Sequence, residues 1–409
     1  MTYPIRPITE AEYPAYSSVL TEAFGWTPHP DQRARWQSGT EFDRTLAAFD
    51  GDLIVGVTGI YTFSMSVPGG ADLPVAGVTA VSVLPSHRRR GILASLMRRQ
   101  LADVHERGEP LAALYASESV IYGRFGYSRA ADELYLSIPT HKAAFVRNAP
   151  VDPALRIKVI APADHRADFE ALYERVRARR PGQYARNDHF WGAVLADEEY
   201  HRHGASDLRG ILAVDDSGVR GYALFRVRSN WNDGVAANEV QVNEVYATDP
   251  AAYALLWRNL LDRDLTVTVS AWGRPVDDPL TQLLADNRQL RARWGDELYV
   301  RVVDVEKALA ARAYAAPVDV VIDVTDDLCP WNARRWRLTA DVSGAECKPT
   351  EEEADLTLPV VSLGAAYLGK DALQAQLEAG LLAEHTAGAV RQLAAAMAWS
   401  PKPWAGLVF

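Results

Sequence analysis

The sequence predicts an α/β (α+β) fold: two tandem mixed-sheet units followed by a third α/β unit, in a chain of 409 residues. Three observations predict it. Strand, helix and strand signals follow one another in a mixed order across the first third of the chain. The same order returns in the middle third. From DELYVRVVDV onward the texture changes, with new strand and helix signals running to the end. The length suits two or three domains of ordinary size. The boundaries expected are 1–140, 141–295 and 296–409.

In the first unit, TLAAFDGDLIVGVTGIYTFS reads as two strands joined at Asp50-Gly51-Asp52, a hairpin signal. LPVAGVTAVSVLP is a third strand ended by Pro85. Ile92, Leu93, Leu96, Met97 and Leu101 then recur at helical spacing, with Gly108 placed to cap the helix C-terminus. EPLAALYAS is a short buried strand, and SVIYGRFGYS gives one or two helical turns stopped by Gly126. The stretch before the hairpin, holding Trp26 and Trp36, reads as loop-like.

The middle third repeats this frame. ILAVDDSGVRGYALFRVRS lies over the first hairpin, and VNEVYATDPAAYALLWRNLLDRD over VTAVSVLPSHRRRGILASLMRRQ. Setting Val245 on Val81 places Ala251 to Ala254 on His87 to Arg90, and Leu255 on Gly91. The frame is kept and the basic turn is lost. In the last third, VDVVIDVTD and RRWRLTADV read as strands, while SLGAAYLGKDALQAQLEAGLL and HTAGAVRQLAAAMAW read as helices.

Composition narrows the function classes. The formal net charge is -10, which argues against binding nucleic acid or an anionic membrane and suits a cationic substrate. Two cysteines, Cys329 and Cys347, make neither a disulfide framework nor a zinc site. No histidine cluster shows a metal-ligand pattern, so no metal is expected. No apolar run is long enough to span a bilayer, and the start has no secretory h-region, so a cytoplasmic protein is expected.

The informative motif is SHRRRGIL. Three arginines stand at a helix N-terminus, where the helix dipole disfavours cations. An anion resolves the conflict: free N–H groups at a helix start bind phosphate, and arginines around it become favourable. Gly91 lets a ligand approach the main chain. This is no Walker loop and no dinucleotide fingerprint. For the tripeptide alone, a solvated basic helix start is the better account, since short basic runs are common; the wider context decides against it.

The wider pattern resembles the GNAT acetyltransferase superfamily: VTAVSV, then RRRGIL, a strand, and YGRFGY. With a third unit similar to sterol carrier proteins, the full layout resembles the enhanced intracellular survival (Eis) family of N-acetyltransferases. SHRRRGIL, ASESVIYGRFGY and LGAAYLGKDAL carry that resemblance. It implies two tandem GNAT-like mixed-sheet domains, the second without its cofactor turn, and a sterol-carrier-protein-like α/β domain. It implies acetyl-CoA as co-substrate, a small amine acceptor, aminoglycosides among the candidates, and a homo-hexamer. By matching motifs, Val81, Ser82 and Val83 would line the thioester arm. Arg89, Arg90, Gly91, Ile92, Leu93 and Ala94 would hold the pyrophosphate, with Ser117 and Glu118 also touching the cofactor. Tyr122 would be the general acid and the terminal carboxylate of Phe409 the base. Trp26 and Val408 stand where aminoglycoside-acetylating members carry acidic residues, and Ala80 where a bulky aromatic can sit. With Trp36 they would wall the substrate pocket.

The chemistry these residues would perform is acyl transfer from a thioester to a neutral amine. A thiol pKa is about 8.5 and a tyrosine pKa about 10, so a tyrosine is a suitable proton donor to a leaving thiolate. A non-catalytic CoA- or lipid-binding module is the alternative, and the pairing of the arginine turn with Tyr122 favours the enzyme.

Overall fold

The computed structural model describes residues 3–409. The chain divides into two compact units, one formed by the segment up to Ala131 with Glu297–Phe409, the other by Asp132–Asp296. The first unit is built on a seven-stranded sheet. Its N-terminal strands are β1 (Ile5–Arg6), β2 (Leu46–Asp50), β3 (Leu53–Ser66), β4 (Asp72–Val83), β5 (Leu111–Tyr115) and β6 (Ser128–Arg129). Four helices belong to the same segment: α1 (Tyr13–Phe24), α2 (Pro30–Gly39), α3 (Ile92–Glu106) and α4 (Ser119–Tyr122). The β2–β3 hairpin turns at Gly51-Asp52 as the sequence predicts, and β4 pairs antiparallel with β3. The chain then crosses through α3 to the parallel strand β5. Apolar residues of α3, among them Met97, Leu101 and Val104, pack on the sheet with Ala76, Val78 and Ala112.

Two expectations are corrected here. The N-terminal stretch is not a loop. It folds as α1 and α2, because Tyr13, Tyr16, Leu20 and Phe24 repeat at helical spacing and Gly25 stops α1 with φ +70°. The sheet also does not end where the sequence suggested. Leu298–Val302, expected in the third domain, enters the first sheet between β5 and β6. All five of its residues are buried, as a central strand requires, so LYVRV shows no alternation to betray its place. In exchange, Asp132–Pro139 pairs in the second sheet, and the first sheet's N-terminal share stops at Ala131.

The second unit repeats the order of elements. Its hairpin is Arg209–Asp215 with Gly218–Arg228. Asn238–Ala247 pairs antiparallel with the hairpin, the helix Pro250–Leu261 crosses over, and Thr266–Pro275 returns parallel. The residue-by-residue overlay at the turn is wrong. In the first unit Leu84 to Gly91 separates strand from helix; in the second only Thr248 and Asp249 do so. Ala251 to Ala254 therefore lie inside the first helical turn, and no loop remains that could correspond to the arginine turn.

The C-terminal domain has a five-stranded sheet in the order Gly344–Pro349, Arg335–Asp341, Val318–Thr325, Leu356–Pro359, Ala383–Glu384. The long apolar pattern SLGAAYLGKDALQAQLEAGLL breaks into two helices, Val360–Ala366 and Leu373–Glu378. Gly369, between them at φ +100°, lets Trp399 come closer than a side chain would allow: an added Cβ would lie 2.4 Å from the Trp399 Cβ.

Candidate active site

The site begins with a fault in the sheet. β4 and β5 pair only from Val75–Leu111 to Gly77–Ala113. Beyond Gly77, β4 continues to Val83 paired with β3, and among the described residues no strand covers its other edge. A bulge shapes this free stretch. Thr79 faces Gly59 and Ser82 faces Val57, so β4 carries one extra residue, with Ala80 at φ +55°. The backbone of Val81, Ser82 and Val83 thus has hydrogen-bonding groups that the sheet does not use.

The arginine turn follows. Pro85–His87 makes one 3-10 turn, Arg89 and Gly91 take positive φ (+63° and +80°), and α3 starts at Ile92. Gly91 as N-cap offers no side chain to the first-turn N–H groups of Ile92, Leu93 and Ala94. A Cβ added to Gly91 would meet nothing within 4 Å, so the approach to those donors is open. Buried His87 pins the turn: its Nε2 lies 3.1 Å from Asp50 on the β2–β3 hairpin, and its Nδ1 lies 2.9 Å from Ser86 Oγ. Arg90 donates to the Tyr3 hydroxyl at 3.2 Å, while Arg88 and Arg89 are exposed and in no ion pair among the described residues. Ser117 and Glu118 are exposed at the start of α4.

The second unit shows what a filled version looks like. Asp249 caps Pro250–Leu261, accepting from the N–H groups of Ala251 (3.1 Å) and Ala252 (3.0 Å), and is itself held by Arg220 at 2.9 Å. Arg274 reaches the carbonyl of Val245, near the end of the strand Asn238–Ala247, at 3.5 Å. There the protein's own carboxylate caps the helix start, whereas Gly91 gives α3 no side-chain cap among the described residues. The first unit fits a diphosphate with an amide-bearing arm, and the second does not.

Tyr122, at the end of α4, is buried in a cluster that also includes Val81, Leu93 and Ala94. Burial raises its pKa, partly opposed by the neighbouring Ser117 hydroxyl, so the phenol stays protonated at neutral pH. The following turn stops at Gly126, φ +84°, for a reason the sequence does not reveal. An added Cβ would fall 2.5 Å from Nε of buried Arg301, which makes two 2.7 Å hydrogen bonds to Asp326.

Beside the free stretch of β4 lies a cavity of about 280 Å³. Tyr13, Tyr16, Phe24, Trp26, Trp36, Tyr61 and Phe409 line it, with Ala80, Thr79 and Glu41. Trp26 and Trp36 meet edge to face at 5.1 Å. Burial pushes the Tyr61 hydroxyl up to about 12 and that of Tyr16 still higher. The cavity therefore gathers Trp26, Trp36, Ala80 and Phe409. It does not gather Val408, which is 73% exposed. Tyr13, Tyr16, Tyr61 and Glu41 were missed; the aromatic repeat of α1 was the available signal for the first two.

Phe409 arrives by a tether. Trp404, Ala405 and Leu407 are buried, as the apolar tail predicts. Buried Glu297 accepts from the N–H of Ala405 at 3.1 Å and of Gly406 at 2.9 Å. The Phe409 ring then packs on Phe63 of β3 (4.7 Å between centroids) and Tyr115 of β5 (5.4 Å). It also lies 3.1 Å from where a Cβ on Gly77 would stand. Phe409 thus sits where β4 and β5 part.

Comparison with known proteins gives the family and its domains. The acetyltransferase (GNAT) domain family matches residues 4–130, a second acetyltransferase (GNAT) domain family 182–302, and the sterol carrier protein domain family 305–406. An uncharacterized N-acetyltransferase of Streptomyces coelicolor is 44% identical over 99% of both chains. The N-acetyltransferase Eis of Mycobacterium tuberculosis is 32% identical over 97% of both. The chain belongs to the Eis family of N-acetyltransferases. The crystal structure of Eis1 from Mycobacterium abscessus superposes with a TM-score of 0.86 at 33% identity, covering 99% of this chain and 100% of that one. This Eis-family protein is accordingly an acetyltransferase with two GNAT domains and a sterol-carrier-like domain, and the GNAT fold implies acetyl-CoA as its co-substrate. Among the described residues no helix is long and apolar enough to cross a membrane, and no group of histidine, cysteine and carboxylate side chains is arranged to hold a metal.

Proposed function

We propose that this Eis-family enzyme acetylates a primary amine of a small cationic acceptor, by direct attack in a ternary complex at the first domain. The observation that carries the reading is the position of Phe409. The chain's last residue lies at the parting of β4 and β5, against the wall of an aromatic cavity. Acetyl-CoA, when bound, supplies the activated acetyl group. Arg89 and Arg90, with the N–H groups of Ile92, Leu93 and Ala94 beside Gly91, would hold its diphosphate. The free backbone of Val81, Ser82 and Val83 would hold its arm, and Ser117 and Glu118 would border it.

The residues then have two protons to manage. The Phe409 carboxylate takes the proton of the attacking amine. A free α-carboxyl pKa is about 3.5 and an alkylammonium pKa about 10.4, an unfavourable gap in water. The aromatic surroundings narrow it from both sides, since desolvation raises a carboxyl pKa and lowers an amine pKa. Tyr122 Oη gives a proton to the leaving sulfur, and its burial keeps that proton in place beforehand.

The lining also speaks to the acceptor. Glu41 is the one carboxylate side chain on the cavity wall among the described residues, and seven of the other lining residues are aromatic. This favours an amine on a flat, apolar body over a polyhydroxylated aminoglycoside. A homo-hexamer, which the family resemblance implies, is part of the same proposal. The test is release of CoA thiol from acetyl-CoA against arylalkylamines, polyamines, aminoglycosides and lysine peptides. Turnover greatest with the aromatic amines is expected. A flat trace across the panel would return the protein to a CoA- or lipid-binding module.

A further inference from the structure

The fold holds Glu41 on the cavity wall by a defined chain of hydrogen bonds. The Thr62 N–H donates to Glu41 Oε1 at 2.6 Å, and the Thr62 hydroxyl donates to Oε2 at 2.5 Å. That hydroxyl accepts in turn from Arg44 Nη1 at 2.5 Å. Arg44 is buried and forms its ion pair with buried Glu109, donating to Oε1 at 2.9 Å. The arrangement orients Glu41 without neutralising it. The nearby guanidinium is matched by Glu109, and a neutral hydroxyl stands between it and Glu41. A carboxylate has about four lone-pair positions; Thr62 occupies two, leaving the others for a ligand. Tyr13, Tyr61 and Trp36 share the same cavity, and their ring faces are attractive to cations.

A carboxylate that anchors an ammonium must leave it charged, whereas the base must remove a proton. The two tasks need two carboxylates. We propose that Glu41 is the specificity-determining residue for the acceptor, seating a second cationic group while the reacting amine is delivered to the Phe409 carboxylate. The acceptor class is then a diamine on a flat apolar body. Thr62, Arg44 and Glu109 are positioning residues that aim Glu41. This rests on the cavity being the acceptor site.

The experiment compares benzylamine with 4-(aminomethyl)benzylamine on the full-length protein, reading kcat and KM by CoA thiol release. The wild type should favour the diamine in kcat/KM by tenfold or more, well above the twofold expected from having two amines. Glu41→Gln should reduce that preference below threefold, chiefly through the diamine KM. Glu41→Asp, which keeps the charge and shortens its reach, should fall between them and serves if the glutamine variant does not bind acetyl-CoA. Thr62→Val should raise the diamine KM, and Thr62→Ser, which keeps the hydroxyl, should restore it. No preference in the wild type, or one that survives Glu41→Gln, overturns the role of Glu41 while acetyl transfer at this cavity stands. Turnover of neither amine overturns the acceptor-site reading and this proposal with it.

Discussion

The proposed cofactor turn and the proposed acid each rest on single side chains. Charge-assisted hydrogen bonds are worth roughly 1.5–3 kcal/mol each. Arg89→Ala and Arg90→Ala should therefore each weaken acetyl-CoA binding about tenfold or more in calorimetry, with melting temperature unchanged. Unaltered affinity in both would remove the cradle. Tyr122→Phe deletes one oxygen and little packing, so kcat should fall far more than acetyl-CoA affinity; wild-type turnover would make Tyr122 a core aromatic. The buried thiols of Cys329 and Cys347 give a pH prediction. Burial pushes both up to about 12, from an ordinary value of 9.0. Each thiol ionises at lower pH in the unfolded chain than in the folded one. Their contribution is intact below about pH 9 and is lost as pH rises toward 12. Urea melts at pH 8 and 10.5 should show it. At pH 8 a thiol reagent should label neither cysteine without urea.

At the scale of elements, the contrast between the two helix starts predicts stoichiometry. The α3 start has Gly91 and open donors, whereas Pro250–Leu261 is closed by Asp249. One acetyl-CoA should bind per chain. Asp249→Ala should destabilise the fold by about 1 kcal/mol, the usual worth of such a cap, without adding a second site. Two equivalent sites in the wild type would defeat the argument. This is also the scale at which the sequence was most and least informative. Hairpins, α3, β5 and the repeat were legible because periodicity and turn residues are local signals. The arginine turn was legible because its charge contradicted its place. Three features were not legible. Leu298–Val302 joins a sheet nearly two hundred residues upstream, and a strand's partner is not written in its own pattern. Gly126 answers to Arg301, and Glu41 to Thr62 and Arg44, contacts that exist only after folding. The second unit's helix start was misplaced because matching apolar patterns is blind to a shortened loop.

For the whole molecule, the N-terminal segment and Phe409 line one cavity. Termini are usually frayed unless tied down. This one is tied by Glu297, which lies just before the strand that completes the first sheet, so the strand that closes the sheet also fixes the tail. Gly406 takes φ +63° there, and an added Cβ would stand 2.7 Å from the Trp404 ring, so the tail has one tight path to the cavity. The base proposed for the reaction depends on where that path stops rather than on which side chain ends it. Adding one Gly after Phe409 keeps every side chain and moves the carboxylate by about 3.5 Å; deleting Phe409 retracts it by a similar distance. Either change should cut kcat by a hundredfold or more, because proton transfer requires hydrogen-bond contact. Acetyl-CoA affinity should change little in either, since the cradle is untouched, and the Gly extension, which keeps the Phe409 ring on Phe63 and Tyr115 and the Glu297 tether, should leave the melting temperature near the wild-type value. The same reasoning separates two expression formats: an affinity tag fused to the C-terminus should abolish turnover, and one fused to the N-terminus should not. If the Gly-extended protein turns over at the wild-type rate, the carboxylate is not the base and Phe409 only packs against Phe63 and Tyr115.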